Sequence, residues 1–326
     1  MFKGETMKRK VNLVGQNTLT VSLPTKWAQE HGIKKGIEVE LLEDNDRLVI
    51  EASRIAKKIK KVVIDIDHFD KLMLSRYLDE FYRVGAEEIV LKFTKDTLPD
   101  YKNNKEVLIS KILTDVVQRY IGMEIISQRN NVVVLQTLIT KEDCDKIEVV
   151  RQRLYFLIKE FLDEFSKSMD SDFKSFNDKA YAYHDNIAKF TYYYFRILNF
   201  SNLTEPQKTR YFGLYNIIDL AIDKLRHTSE RYAEMKKKSP KLINYVREIF
   251  AHFLEQFEII NKQSFKMEDL DAIISKRYKL VQKVNKEKFN EDEFKVIAEC
   301  KILLDMINPF CEAYVAANIE KYFEEY

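Results

Sequence analysis

The sequence is poor in several residues that usually mark a fold or a chemistry. Three cysteines occur in 326 residues, Cys144, Cys300 and Cys311, with no CxxC spacing. So odd and sparse a set reads as reduced thiols and argues against a disulfide frame or a zinc knuckle. No apolar run approaches the ~18 residues of a membrane-spanning helix, so no membrane insertion is expected. The start, Met1-Phe2-Lys3-Gly4-Glu5, lacks the apolar stretch of a secretory signal, which predicts a cytoplasmic protein. The motifs GxxxxGK[ST], GxGxxG and HExxH are absent. The five histidines, His31, His68, His184, His227 and His252, are scattered, and no nucleophile elbow accompanies them. The expectation is a protein that is not an enzyme and carries no cofactor.

Glycine is scarce too, and its placement divides the chain. Gly4, Gly15, Gly32 and Gly36 fall in the first 36 residues, and only Gly213 follows Gly122. Glycine serves tight turns and weakens helices, so a β-rich start and a helical remainder follow. Charge is what the chain has in plenty, 33% of residues against 45% hydrophobic. That composition suits a helix-rich globular protein, and the length predicts two or three domains. The net charge of +2 is unevenly spread. Residues 1–61 carry thirteen Lys/Arg against eight Asp/Glu, while 62–140 carry ten against twelve and 141–326 thirty-one against thirty-two. A phosphate backbone attracts such a local excess, although a solvated surface would tolerate it equally.

Residues 8–14 and 18–23 alternate, so that Leu19, Val21 and Leu23 would face a core while Thr18, Thr20 and Ser22 face out. Gly15-Gln16-Asn17 is a plausible hairpin connection. Pro24 then opens a short helix and Gly32 closes it. After Lys34-Lys35-Gly36, alternation resumes at Ile37, Val39 and Leu41, and Asp44-Asn45-Asp46 turns the chain into Leu48-Val49-Ile50. A β-β-α-β-β unit this small needs a partner, and interleaving with a second copy would supply one.

Arg54 to Lys61 reads as a basic connector. A small α/β domain is expected over 62–139. Its pattern is a strand at 62–66, a helix at 69–84, a strand at 88–93, a loop containing Pro99, a helix at 105–120, and a hairpin at 123–138. From 141 to 326 the chain reads as helical, with breaks near Asp170, Asn202–Pro206, Ser239-Pro240, Ser264 and Asn290. That predicts six helices in two three-helix repeats divided near residue 239. The aromatic run Tyr192-Tyr193-Tyr194-Phe195, with Phe190 and Phe200, is explained by core packing. The fold class is therefore multidomain α+β: a dimeric β module at 1–53, a small α/β domain and an all-α bundle.

Residues 9–51 resemble the AbrB/SpoVT/MazE-type swapped-hairpin family. The likeness is carried by Arg9-Lys10-Val11, Gly15, Ser22-Leu23-Pro24-x-Lys26-Trp27, Gly32-Ile33-Lys34-Lys35-Gly36 and Leu48-Val49-Ile50-Glu51. The resemblance implies two chains with interleaved hairpins, a homodimer through this module, and double-stranded DNA as partner. Lys8, Arg9 and Lys10 can reach phosphates or base edges. Asn17, Thr18 and Ser22 can hydrogen-bond to backbone or bases, and Lys26 near the helix start complements phosphate. Lys34 and Lys35 fit a solvated turn as well as a contact. Trp27 fits a core or dimer interface better than base stacking. Leu13, Val14 and Thr20 stand where the antitoxin form of the family has arginine or tryptophan, so base-specific readout does not carry over.

The layout of head, small α/β unit and helical tail is similar to archaeal PhoU-like phosphate uptake regulators, with Tyr120–Ile139 especially alike. The resemblance implies a link to phosphate uptake and a phosphate-transport or signalling protein as partner. The family's Glu/Asp-x-x-x-Asp metal motifs are degraded here, at His184–Ala188, Asp223–His227 and Asp305–Pro309. Only Asp223 and His227 keep a pair able to bind metal, and an ordinary solvated i,i+4 pair accounts for them better, so no metal is expected. Two functional readings follow. In one, a DNA-binding transcriptional regulator carries a sensory or interaction tail. In the other, a non-DNA-binding adaptor regulates a phosphate transporter or kinase, with the head serving for dimerisation. An antitoxin-like autoregulator fits less well, because the tail is long and structured.

Overall fold

The computed structural model describes residues 7–44, 47–52, 61–138, 146–169, 173–201, 203–261 and 266–322. The expected turn at Asn45-Asp46, the connector over 54–60, Cys144 and the breaks at Asp170, Asn202 and Ser264 lie outside the described residues. The chain forms two compact units, residues 1–59 and 60–326.

The first unit contains two antiparallel hairpins and a short helix. Strands β1 (Val11–Val14) and β2 (Thr18–Val21) pair with Leu13 opposite Leu19 and Val11 opposite Val21. Gly15, at φ 69°, makes the left-handed turn between them. Helix α1 (Thr25–Glu30) follows Pro24, and β3 (Val39–Asp44) pairs with β4 (Arg47–Ala52). The alternation puts Val11, Leu13, Leu19 and Val21 on one face, as the sequence predicts. That face finds no core within one chain: Leu13 is 63% exposed and Leu19 69%, and no residue of α1 is buried.

The second unit joins a sheet layer to a helical bundle. Strands β5 (Lys61–Asp65), β6 (Glu88–Lys92), β9 (Met123–Arg129) and β10 (Val132–Thr137) form one sheet in the order β5-β6-β10-β9. β5 and β6 are parallel, joined through α2 (Lys71–Arg83), and the other pairs are antiparallel. Asp70 caps α2 by accepting from the Met73 N–H at 2.6 Å. Ile89, Leu91, Val133 and Leu135 meet Leu74, Leu78 and Tyr82 in a continuous core.

Two expectations for this region need correction. The stretch read as a Pro99 loop is a hairpin of β7 (Thr97–Asp100) and β8 (Lys105–Leu108), and the helix expected over 105–120 is α3 (Ile109–Val117). The Asp100 carboxylate accepts from the backbone N–H and the side-chain amide of Asn103, pinning a turn in which Asn104 takes φ 49°. Pro99 is tolerated because a two-stranded ribbon leaves one edge of each strand unpaired.

Seven helices are described in the tail rather than six: α4 (Ile147–Ser168), α5 (Phe173–Leu198), α6 (Glu205–Glu234), α7 (Pro240–Asn261), α8 (Met267–Lys286), α9 (Glu291–Asp305) and α10 (Ile307–Asn318). The additional break, at Met306, has its cause in Pro309. Its ring obstructs the carbonyl four residues back and it offers no N–H. Thr204 with Gln207, and Asn290 with Glu293, close capping boxes at α6 and α9. The bundle core is aromatic, with Phe165 stacked on Phe250 at 3.5 Å between centroids and Phe176 and Tyr232 around it. The aromatic run of α5 is buried, and it serves two cores: Tyr192 packs with the sheet layer, Tyr193, Tyr194 and Phe195 with the bundle.

The segments expected as a separate domain at 62–139 and a tail at 141–326 thus share one compact unit. Arg196 of α5, 1% exposed, donates through Nη1 to the carbonyls of Tyr82 (3.0 Å) and Ala86 (2.9 Å). Its guanidinium joins the Gly85 N–H on the Tyr82 carbonyl in the last turn of α2 and reaches on to Ala86 in the turn that follows. Nearby, the buried Asp79 accepts from the Tyr120 hydroxyl at 2.7 Å, and Arg83 lies 4.1 Å over the Tyr192 ring while pairing with Asp219.

Candidate nucleic-acid interface

The nine side chains named from the sequence as DNA contacts all belong to the first unit, and all are exposed. Lys8, Arg9 and Lys10 precede β1, Asn17 closes the hairpin turn, and Thr18 begins β2. Ser22 follows β2, Lys26 lies in the first turn of α1, and Lys34 and Lys35 lead into the turn at Gly36, which takes φ 89°. None of the six basic groups forms an ion pair with a described residue, so their charge is left to solvent or a ligand. Lys26 sits where the first N–H groups of α1 are free, since Pro24 supplies no side-chain cap.

The register shows more than the composition did. Asn12 lies opposite Thr20 and Val14 opposite Thr18, so these four share the face away from Leu13 and Leu19. The Thr20 hydroxyl donates to the Asn12 carbonyl at 3.3 Å, holding that polar face in one arrangement. Asn12 was not among the residues named from the sequence, and the pairing Asn12 to Thr20 is the signal that would have found it. Trp27 is half-buried and its ring lies 5.0 Å from that of His31, whose Nδ1 is 2.9 Å from the Trp27 carbonyl. The site can therefore neutralise phosphate with unpaired cations and offer amides and hydroxyls from an adjoining strand face.

The secondary metal candidates, Asp223 and His227, are neighbours on α6 but are otherwise engaged. Arg226 Nη2 donates to Asp223 Oδ1 at 2.9 Å and stands 3.0 Å from His227 Nε2. His227 Nε2 is 3.6 Å from Asp223 Oδ2, and His184 Nε2 is 3.5 Å from Oδ1. Burial pushes the Asp223 carboxyl up, but its bond to Arg226 and the neighbouring cations outweigh this and hold it below the ordinary value. Among the described residues no group of three or more His, Cys, Asp or Glu side chains is arranged to hold a metal ion. No described helix is long and apolar enough to cross a membrane.

Residues 14–60 match the family model described as antidote-toxin recognition MazE, bacterial antitoxin. The matched stretch spans Asn17, Thr18, Ser22, Lys26, Lys34 and Lys35, and begins after Lys8, Arg9 and Lys10. No curated protein and no solved structure matches the chain.

Proposed function

We propose that the protein is a homodimeric DNA-binding transcriptional regulator, without enzymatic activity, whose first unit grips double-stranded DNA and whose second unit senses a signal or a partner. The observation that carries this reading is the hairpin of β1 and β2. One of its faces is apolar and uncovered, which a second interleaved copy would bury, and its surroundings hold unpaired cations. Burying a Leu or Val side chain contributes about 1.5–3 kcal/mol, so the exposed set is ample to drive pairing. The family match at residues 14–60 supports the same reading. Lys8, Arg9, Lys10, Asn17, Thr18, Ser22, Lys26, Lys34 and Lys35 form the contact set. A link to phosphate uptake rests on the likeness of Tyr120–Ile139 and of the helical layout to PhoU-like regulators alone.

A gel shift with genomic DNA tests the proposal. Binding by the intact chain, lost on Arg9→Ala plus Lys10→Ala, is the expected result; no binding by the intact chain at low salt overturns it. The antitoxin description of the matching family favours one second reading, an autoregulator whose second unit holds a protein target. An adaptor that never touches DNA remains the alternative if the gel shift is negative while the dimer is intact.

A further inference from the structure

We propose that the groove lined by α6, α8 and α10 binds a lipophilic cation, an organic molecule with an apolar body and a positive charge. The groove measures about 720 Å³. Sites that enclose drug-sized ligands run from ~300 to ~1,000 Å³ and are mostly apolar with a few polar groups. Here the apolar part comes from Leu270 and Ile274 of α8, Cys311 and Val315 of α10, and Ile319 just beyond it. Leu270 and Cys311 are buried, and Ile274, Val315 and Ile319 are half-buried, so the apolar surface lines a concavity and is not a flat open face.

The charged side chains on the lining decide the sign of the occupant. Arg210 of α6 is already paired: its Nη1 donates to Glu320 at 2.7 Å, and Gln207 Nε2 donates to the other oxygen of that carboxylate at 2.7 Å. Asp271 and Glu312 also line the groove, are exposed, and form no ion pair or hydrogen bond with a described residue. Burial, with the Glu312 charge, pushes the Cys311 thiol up to about 11, so at neutral pH it belongs to the apolar floor. A cation seated against apolar walls feels the two carboxylates more strongly than one in open water, because the walls exclude solvent and focus the field. An anion of the same size meets the same walls and is repelled. A second copy presenting the same groove would bring like charges together. In the regulator proposed above such a ligand is the signal that the second unit senses; that role rests on the DNA-binding reading, whereas the site rests on the groove alone.

Isothermal titration of the full chain tests this with two probes of matched size and shape and opposite charge, tetraphenylphosphonium and tetraphenylborate. The expected result is saturable binding of the phosphonium at a single site per chain, tighter than the borate by about tenfold or more. Asp271→Asn with Glu312→Gln should erase that preference and leave the denaturant midpoint unchanged. Ala316→Trp, at an exposed position on the lining, should fill the groove and block the phosphonium. Equal or tighter binding of the borate, no saturable binding of the phosphonium, or binding that Ala316→Trp leaves untouched overturns the site. So does an Ala316→Trp chain that loses a dimer formed by the unliganded protein, since a second copy would then be the occupant. A positive titration beside a negative gel shift leaves the site standing and removes its place in a DNA-binding regulator.

Discussion

In the first unit Leu13 and Leu19 lie open to solvent and six basic side chains have no described carboxylate partner, whereas the second unit builds two buried cores and pairs several of its cations on its own surface. There Phe161 and Phe250 are buried, Lys276 meets Glu255 at 2.6 Å, and Lys283 meets Glu248 at 2.7 Å. Both units obey the same physics of burial and charge. They differ in where the balance closes: largely within one chain for the second unit, and, in the reading proposed above, with a second copy and a polyanion for the first. A module that leaves both its apolar face and its charge unsatisfied reads as an interface on two sides.

The largest effect that would break this contrast falls on the dimer. Leu13→Asp with Leu19→Asp places four carboxylates per dimer in the proposed interface and forfeits about 2 kcal/mol of burial for each leucine. The expected outcome is a monomer at micromolar concentration by sedimentation, with unfolding of the second unit unchanged. A variant that stays dimeric would show that the exposed hairpin is not the pairing surface.

Next in size is Arg196→Met. It removes the guanidinium that serves the Tyr82 and Ala86 carbonyls, leaving two buried acceptors without that donor. The expected cost is about 3 kcal/mol, read as a lower denaturant midpoint, with the dimer intact. An unchanged midpoint would mean that the sheet layer and the bundle do not depend on this contact.

The smallest stability effect concerns Asp79. Burial holds its carboxyl above the ordinary range, against the opposing Tyr120 bond and the Arg83 charge. The folded state therefore binds a proton that the unfolded state releases, and stability is lost as pH rises from the unfolded toward the folded pKa. The penalty is fully present above the raised folded-state pKa and lifts as pH falls toward the ordinary carboxylate value of ~4. Asp79→Asn keeps an acceptor for Tyr120, so it should raise stability slightly above the folded-state pKa and flatten the acid side of the profile. A variant that retains the full slope would place the titration elsewhere.

Much of the first unit was legible in the sequence because its signals are local. Gly15, Gly32 and Gly36 all take positive φ, and the alternating stretches between them became strands. The parts that escaped depend on distance or on short elements. The four-residue strands β7, which contains Pro99, and β8 carry no usable period, so a loop was the natural reading. Arg196 sits in an aromatic run and is 110 or more residues from the carbonyls it serves, which no local pattern reports. The Asp223 and His227 spacing was visible, but Arg226, which engages the same carboxylate, lay unweighed between them. The exposed face of β1 and β2 was legible as one that a second copy would cover, because so small a unit cannot bury it alone.

The central claim, that the first unit grips DNA through unpaired cations, is tested most directly by the salt dependence of binding. Fluorescence anisotropy of a labelled operator fragment selected from genomic DNA gives the slope of log K against log salt. Each phosphate contact contributes about 0.9 to that slope. The account predicts a steep negative slope for the intact chain, made shallower by roughly 2 in Arg9→Ala plus Lys10→Ala, with the dimer unchanged. A slope near zero, or one that the double variant leaves untouched, would contradict it.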